Sequence, residues 1–548
     1  MQQHRLQVVN FVARHNNPVL FPVPHISKML AEKSHPPLLK IVEKDGVVNV
    51  AHHVNVGKTY FQFVWSHQKS GFNTVNTSGT KILNAGGLRC DSGAAQNYFY
   101  ICSRRHFCWL ETKAQALIGG IFRKQLFQNT LIFSGSSILN RAIPFLLAPI
   151  ITRYLTPEDY GTVANFISLL GLLIVFAGVN THGLLPVKYY QMDREQFRIL
   201  VGNLMFILVG TALLMLIAVY IVGDFIADQY EMPFRWVVTA VLCALAMFMN
   251  NVNLSLWQLE KKARWYATFT FSETLVNVGL SLYLIIALKM TWEGRLLGVA
   301  ISLLLFGILS LLLIYLRGFV KFRFHKLMFT EALAFGIPLI PHNLSGWLRT
   351  GVNFFIITSI LGSGEAGLYN LGSQFALIVF FIGNGFNLAV APLIYEKLSK
   401  INPAENLKLV RIHYLYFAGM ILAAIAMSVF APLIIWGIFP ERYHDSTPFI
   451  PWLSFAFAMY AMYYSVVNFL FFYKKTLVLS VLTFTSGLIN TGLCYWLVDS
   501  IGAIGAAQAS LVSFLFMFVS VIWYTQKVHP LPWGRVREAL DPKKWAEW

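Results

Sequence analysis

The chain has 548 residues, 56% of them hydrophobic and only 12% charged, with a mean hydropathy of +0.58. A soluble globular chain carries about 25% charged residues, so that class is excluded. The net charge of +18 does not point to nucleic acid, because the basic residues stand mostly in short gaps between apolar runs.

Residues 1–124 are of another kind. They are polar, hold more than half of the histidines and three of the five cysteines, and show no sustained helical or alternating pattern. No basic-then-apolar start with a small-residue cleavage site marks a signal peptide. Cys102, His106 and Cys108 lack the second cysteine pair of a zinc site. This stretch reads as a poorly ordered polar extension, dispensable to the membrane-spanning part of the chain, with an accessory domain as the alternative reading.

From residue 125 the pattern predicts an all-α polytopic membrane protein. Twelve spans, each near the roughly 20 residues that cross a bilayer, fall at 127–154, 160–186, 201–223, 235–256, 266–288, 296–316, 332–358, 366–394, 412–436, 449–471, 476–498 and 502–525. One set of loops carries Lys188, Lys261, Lys262, Arg317, Lys321, Lys326, Lys397, Lys400, Lys474 and Lys475, and the tail from Lys527 is also basic. The other set has few cations and the acidic cluster Asp224, Asp228 and Glu231. Lysine and arginine bias therefore puts the first set, and both ends of the bundle, in the cytoplasm. The expected parts are an N-lobe over 125–316, a cytoplasmic linker over 317–331, a C-lobe over 332–526 and a basic tail over 527–548.

The lobes echo each other. Lys261-Lys262, Thr270-Phe271, Asn277 and Gly279 return as Lys474-Lys475, Thr483-Phe484, Asn490 and Gly492 at a constant offset of 213 (474 − 261, 490 − 277). Leu155, Asp159, Gly161 and Pro186 return more sparsely as Leu361, Glu365, Gly367 and Pro392, 206 residues on (392 − 186). An even number of spans per half makes these two parallel six-helix repeats, an architecture whose halves move around a central site.

Polar residues inside the spans are the candidate site. Arg141 lies about 22 Å along the first span, where even mild insertion scales charge roughly 2.5–3.5 kcal/mol for Arg. Arg349 is its counterpart in span seven. Each suits diphosphate, which a guanidinium grips through two oxygens, or else pairs with a carboxylate or helix-end carbonyls. Prolines interrupt both spans, Pro144 and Pro149 in the first, Pro338 and Pro341 in the seventh, and so mark candidate gates. Glu273 is the carboxylate inside a span. It reads as a carrier of a coupling proton or sodium ion, or as a structural partner for an arginine. His342 and Lys188 could contact the same anion, although a lone membrane histidine is more often a packing residue and Lys188 also marks topology. Asn277 belongs to a set of span amides that suit sugar hydroxyls but equally bind helices together.

The segment Ser136–Gly161, SSILNRAIPFLLAPIITRYLTPEDYG, resembles the opening of the Wzx-type polysaccharide flippases of the multidrug/oligosaccharidyl-lipid/polysaccharide exporter superfamily. The turn at Arg153, Leu155, Thr156, Pro157, Glu158, Tyr160 and Gly161 carries the likeness, and the six-plus-six layout extends it over about residues 125–530. The resemblance implies a bacterial inner-membrane protein that is not an enzyme. It would flip polyprenyl-diphosphate oligosaccharide from the cytoplasmic to the periplasmic leaflet for O-antigen, capsule or exopolysaccharide assembly. It would work by alternating access, without a cofactor, alongside other polysaccharide-assembly proteins.

Two rival readings are weighed against it. A drug/cation antiporter needs acidic cavity residues, whereas arginine here outnumbers carboxylate. A membrane glycosyl polymerase or ligase needs a sizeable periplasmic loop, and each such gap is short. No nucleotide-binding loop, zinc-protease motif or nucleophile elbow occurs.

Overall fold

A computed structural model of the chain describes three strands between residues 39 and 65, then Ile143 and residues 145–399, 403–536 and 538. It divides into two units, Met1–Ile118 and Gly119–Trp548.

In the first unit, β1 (Leu39–Lys44), β2 (Val47–Val56) and β3 (Thr59–Trp65) form an antiparallel sheet in that order, with Leu39 opposite His52 and Val50 opposite Trp65. The all-α reading applies to the second unit, and this sheet stands outside it. The signal lies in the dipeptides between the strands: Asp45-Gly46 and Gly57-Lys58 are two-residue hairpin sequences. The β-branched and aromatic residues beside them alternate too briefly to register as a sustained pattern.

The second unit is helical throughout its described residues. Its elements are α1 (Phe145–Tyr154), α2 (Pro157–Phe176), the single turn α3 (Leu185–Lys188), α4 (Arg194–Gln229), α5 (Phe234–Leu259), α6 (Ala263–Leu282) and α7 (Trp292–Leu316). They continue as α8 (Lys326–Gly336), α9 (Ile340–Leu361), α10 (Ser363–Ser399), α11 (Pro403–Ile438), α12 (Phe449–Phe472), α13 (Thr476–Ile501) and α14 (Ile504–Val528). Among the described residues eleven helical segments are long and apolar enough to cross a membrane, and they coincide with predicted spans two to twelve. The first predicted span enters the described residues only at its end, as α1; Arg141 and Pro144 lie outside them.

Two large apolar cores organise the bundle. One runs from Val163 to Ala332 and the other from Val352 to Val521. A smaller cluster joins α1 through Ala148 and Ile151 to Phe375 on α10 and Ile435 on α11. The repeated lysine pairs turn the chain alike. Lys261 and Lys474 are left-handed, at φ 59° and 56°, and the next amides, of Lys262 and Lys475, each donate to a helix carbonyl at 2.8 Å (Trp257, Leu470).

Span seven is broken between the cores. α8 stops at Gly336, Pro338 sits in a 3-10 turn over Ile337–Leu339, and Pro341 opens α9. Met328 and Ala332 of α8 belong to the first core, whereas Val352 and Ile356 of α9 belong to the second. The segment before α8 is strapped to α4. Lys321 N–H donates to Arg198 O at 3.0 Å, Lys321 pairs with Glu195, and Asn203 bonds Arg323 O and His325 N. The chain therefore passes from one core to the other through the turn at 337–339.

Candidate functional site

The turn that opens α2 is built by its sequence. Thr156 caps the helix by accepting from Asp159 N–H at 3.2 Å, and Asp159 accepts from Thr156 N–H at 3.0 Å, a reciprocal capping box with Pro157 at the first helical position. Tyr443 hydroxyl lies 3.0 and 2.8 Å from Leu155 and Thr156 carbonyl oxygens, and Arg442 caps the end of α1 at Thr152 and Arg153 carbonyls.

The same turn fastens the lobes together on the face opposite the basic loops. Gln374 donates to Tyr160 hydroxyl at 2.8 Å, Thr358 to Asn165 at 2.9 Å, and Ser363 N–H to the Glu231 carboxylate at 2.8 Å. Deeper in, Ser168 hydroxyl bonds Gly351 O and Trp347 indole bonds Ser168 O. Two echoed glycines meet here. A Cβ on Gly161 would lie 1.7 Å from Ser363 O, and one on Gly367 would lie 2.0 Å from Pro157 O. Small residues let helix backbones approach this closely.

Nearer the basic face the helix of span two breaks. Gly178, Val179 and Asn180 are all left-handed, at φ 58°, 51° and 55°. That conformation is unusual for a β-branched residue such as Val179 and marks strain. Val179 carbonyl packs against Gly336, where a Cβ would come within 2.1 Å, so the break in span two meets the break in span seven.

Arg349 is 6% exposed. Its Nη1 donates to Ser345 hydroxyl at 3.1 Å and Thr483 carbonyl at 2.8 Å, its Nε is buried without an acceptor, and its guanidinium stands 5.9 Å from the Tyr460 ring. Among the described residues no carboxylate pairs with it. His342, Ser345 and Arg349 share one stripe of α9, and His342 Nδ1 is also buried without a partner. Tyr460 stacks between Phe380 (4.8 Å) and Phe514 (4.6 Å), and its hydroxyl is 3.3 Å from that of Tyr464.

The other predicted residues lie apart from Arg349. Glu273 accepts from Asn250 Nδ2 at 3.0 Å, so its partner is an amide, not an arginine. Asn277 accepts from Arg295 Nη1 at 2.6 Å, and the same nitrogen bonds Ser281 hydroxyl at 2.7 Å. Lys188 pairs with Glu331. Pro149 lies within α1. By sequence alone Arg295 counts among loop charges, one residue before a span. The helix starts at Trp292, which turns Arg295 inward, and Asn277 one helix earlier is the available signal.

These elements define a multi-pass membrane protein built on two helical cores. The family described as polysaccharide biosynthesis protein matches residues 126–397. A protein of the Lsg locus of Haemophilus influenzae is 25% identical over 366 residues, 65% of this chain and 87% of its own length. An uncharacterized membrane protein of the same organism is 25% identical over 376 residues, 67% and 89%. Two solved structures share the fold at 14% identity. The lipid II flippase MurJ, inward closed, has a TM-score of 0.56 over 72% of this chain and 87% of its own. An inward-facing multidrug resistance MATE family transporter of the MOP superfamily scores 0.55 over 71% and 94%. Residues 126–397 thus match the polysaccharide biosynthesis protein family, and the chain is a multi-pass inner-membrane protein that shares its fold with both solved structures.

Proposed function

We propose that this protein is a secondary transporter carrying polyprenyl-diphosphate-linked oligosaccharide from the cytoplasmic to the periplasmic leaflet by alternating access. The basic loops are assigned to the cytoplasm, so the fastened face is periplasmic and both ends of the twelve-span bundle are cytoplasmic. Two parallel repeats then rock about the Pro338–Pro341 break, with Pro144 and Pro149 serving span one. The family match and the fold shared with a protein titled lipid II flippase support this reading.

The observation that carries it is Arg349. A span-buried guanidinium with no carboxylate among the described residues, an idle Nε and an aromatic neighbour suits an anionic headgroup. In this reading Arg349 and Arg141 hold diphosphate, Lys188 and His342 lie on its route, and Asn277 is one of the amides that receive sugar. Glu273 carries the coupling ion, and the prenyl tail remains in lipid. The near-equal likeness to a drug-transporter fold keeps the antiporter reading in view, but a buried cation there would repel a cationic drug.

Replacing Arg349 by Ala should reduce surface glycan in a null strain at least tenfold at unchanged protein level, and Lys should restore it only in part because it lacks the planar fork (about one order of magnitude per 1.4 kcal/mol). Wild-type glycan display by Arg349→Ala would remove it from the mechanism.

A further inference from the structure

Four hydrogen bonds lead from Glu273 to the basic face. Asn250 Nδ2 donates to Glu273 Oε1 at 3.0 Å, and Ser310 hydroxyl donates to Asn250 Oδ1 at 2.8 Å. Asn253 Nδ2 donates to that hydroxyl at 3.3 Å, and Arg317 Nη1 donates to Asn253 Oδ1 at 2.9 Å. Arg317 also pairs with Glu260, which Lys262 approaches at 3.2 Å, and packs over Trp257 and Phe319. Asn253 and Ser310 are fully buried, so neither has water as a substitute partner.

The hydrogen-bond chain has a direction. A guanidinium only donates and a carboxylate only accepts, so each group between them is held in a single orientation, donor toward Glu273. A proton on the unengaged Oε2 leaves Oε1 a neutral carbonyl, which still accepts from Asn250 but only about half as strongly as a carboxylate oxygen. The bonds polarised through that end, at Ser310 and Asn253, slacken with it, so the chain is tightest when Glu273 is a carboxylate. Its other end is Arg317, the first residue of the linker strapped to α4 through Lys321 and Asn203.

We infer that Asn250, Ser310 and Asn253 are positioning residues through which the charge on Glu273 sets the grip of Arg317 on Glu260, and so the fastening of the inter-lobe linker. This rests on reading Glu273 as the ion-responsive carboxyl. The other charges on α5, α6 and α7 lie at helix ends: Arg264 at the basic end, and Arg235, Glu293 and Arg295 at the opposite end, with Arg235 paired to Glu293.

Amide hydrogen exchange of residues 318–325 in the full-length protein at one fixed pH tests it, because Phe319, Lys321 and His325 amides are hydrogen-bonded there. Glu273→Gln and Ser310→Ala should each speed that exchange roughly threefold or more, and Ser310→Thr, which keeps the hydroxyl, should match wild type. Unchanged linker exchange in Glu273→Gln overturns the inference, as does equal loosening by Ser310→Thr and Ser310→Ala. Glu273→Gln preserves side-chain size and so reports even if Ser310→Ala fails to assemble. Ion-dependent transport is read separately. A loosened linker with wild-type ion dependence supports the tether and removes the coupling role, whereas lost ion dependence with an unchanged linker leaves coupling standing and sinks the tether.

Discussion

Each lobe carries a buried polar network, and the two are built differently. In the first, the network has charged ends, Glu273 at one and Arg317 with Glu260 at the other. In the second, Asn490 bonds Asn353 at 2.8 Å and Leu348 O at 3.0 Å, while Asn353 bonds Tyr369 hydroxyl and Ser510, both at 2.8 Å. No charge enters that cluster among the described residues. The residue at the 213 offset from Glu273 is Ser486, which bonds Ser513 O at 2.8 Å. The first network thus contains a group able to change charge, whereas the second is held by amides, hydroxyls and a carbonyl alone. Span two shows the same asymmetry: it breaks at Val179, while its echo α10 runs unbroken from Ser363 to Ser399.

The largest expected effect tests what the lobes share. Gly161→Val would push a side chain into Ser363 carbonyl and separate the lobes on the fastened face. Glycan display should fall below about a tenth of wild type with insertion intact, since packing of small residues, not insertion, is what is lost. A fully active Gly161→Val would show that this contact is incidental.

A middle-sized effect separates the networks. Asn353→Ala breaks three buried hydrogen bonds and should lower stability by about 2 kcal/mol, at roughly 0.6 kcal/mol per bond, without altering ion dependence. A change in ion dependence would break the contrast between a neutral network and a charged one. The smallest effect is expected at Lys188, whose pair with Glu331 is half-exposed. Lys188→Gln should change stability by less than about 1 kcal/mol and surface glycan less than twofold. A severe loss of export would make Lys188 an essential contact rather than a passing one on the diphosphate's route.

Spans two to twelve were legible because about 20 apolar residues between basic or polar loops have few alternatives in a bilayer. Thr156, Pro157 and Gly161 were legible as a signature, but their roles, a cap and a backbone contact with Ser363, needed a partner 200 residues away. The Asn250–Ser310–Asn253 chain was hidden for the same reason: amide and hydroxyl spacing does not reveal which helices face each other. Val179 could not be foreseen, since its left-handed backbone is imposed by packing against its own preference. The sheet at 39–65 was within reach through Asp45-Gly46, a local hairpin signal outweighed by the polar composition around it.

The central claim is that the lobes must part on the fastened face for lipid-linked glycan to cross. Cysteines replacing Asn165 and Thr358, whose side chains are hydrogen-bonded at 2.9 Å, allow that face to be locked by oxidation. Transfer of labelled polyprenyl-diphosphate oligosaccharide between the leaflets of proteoliposomes should stop when the pair is oxidised and resume on reduction. Equal transfer in both states would contradict the account.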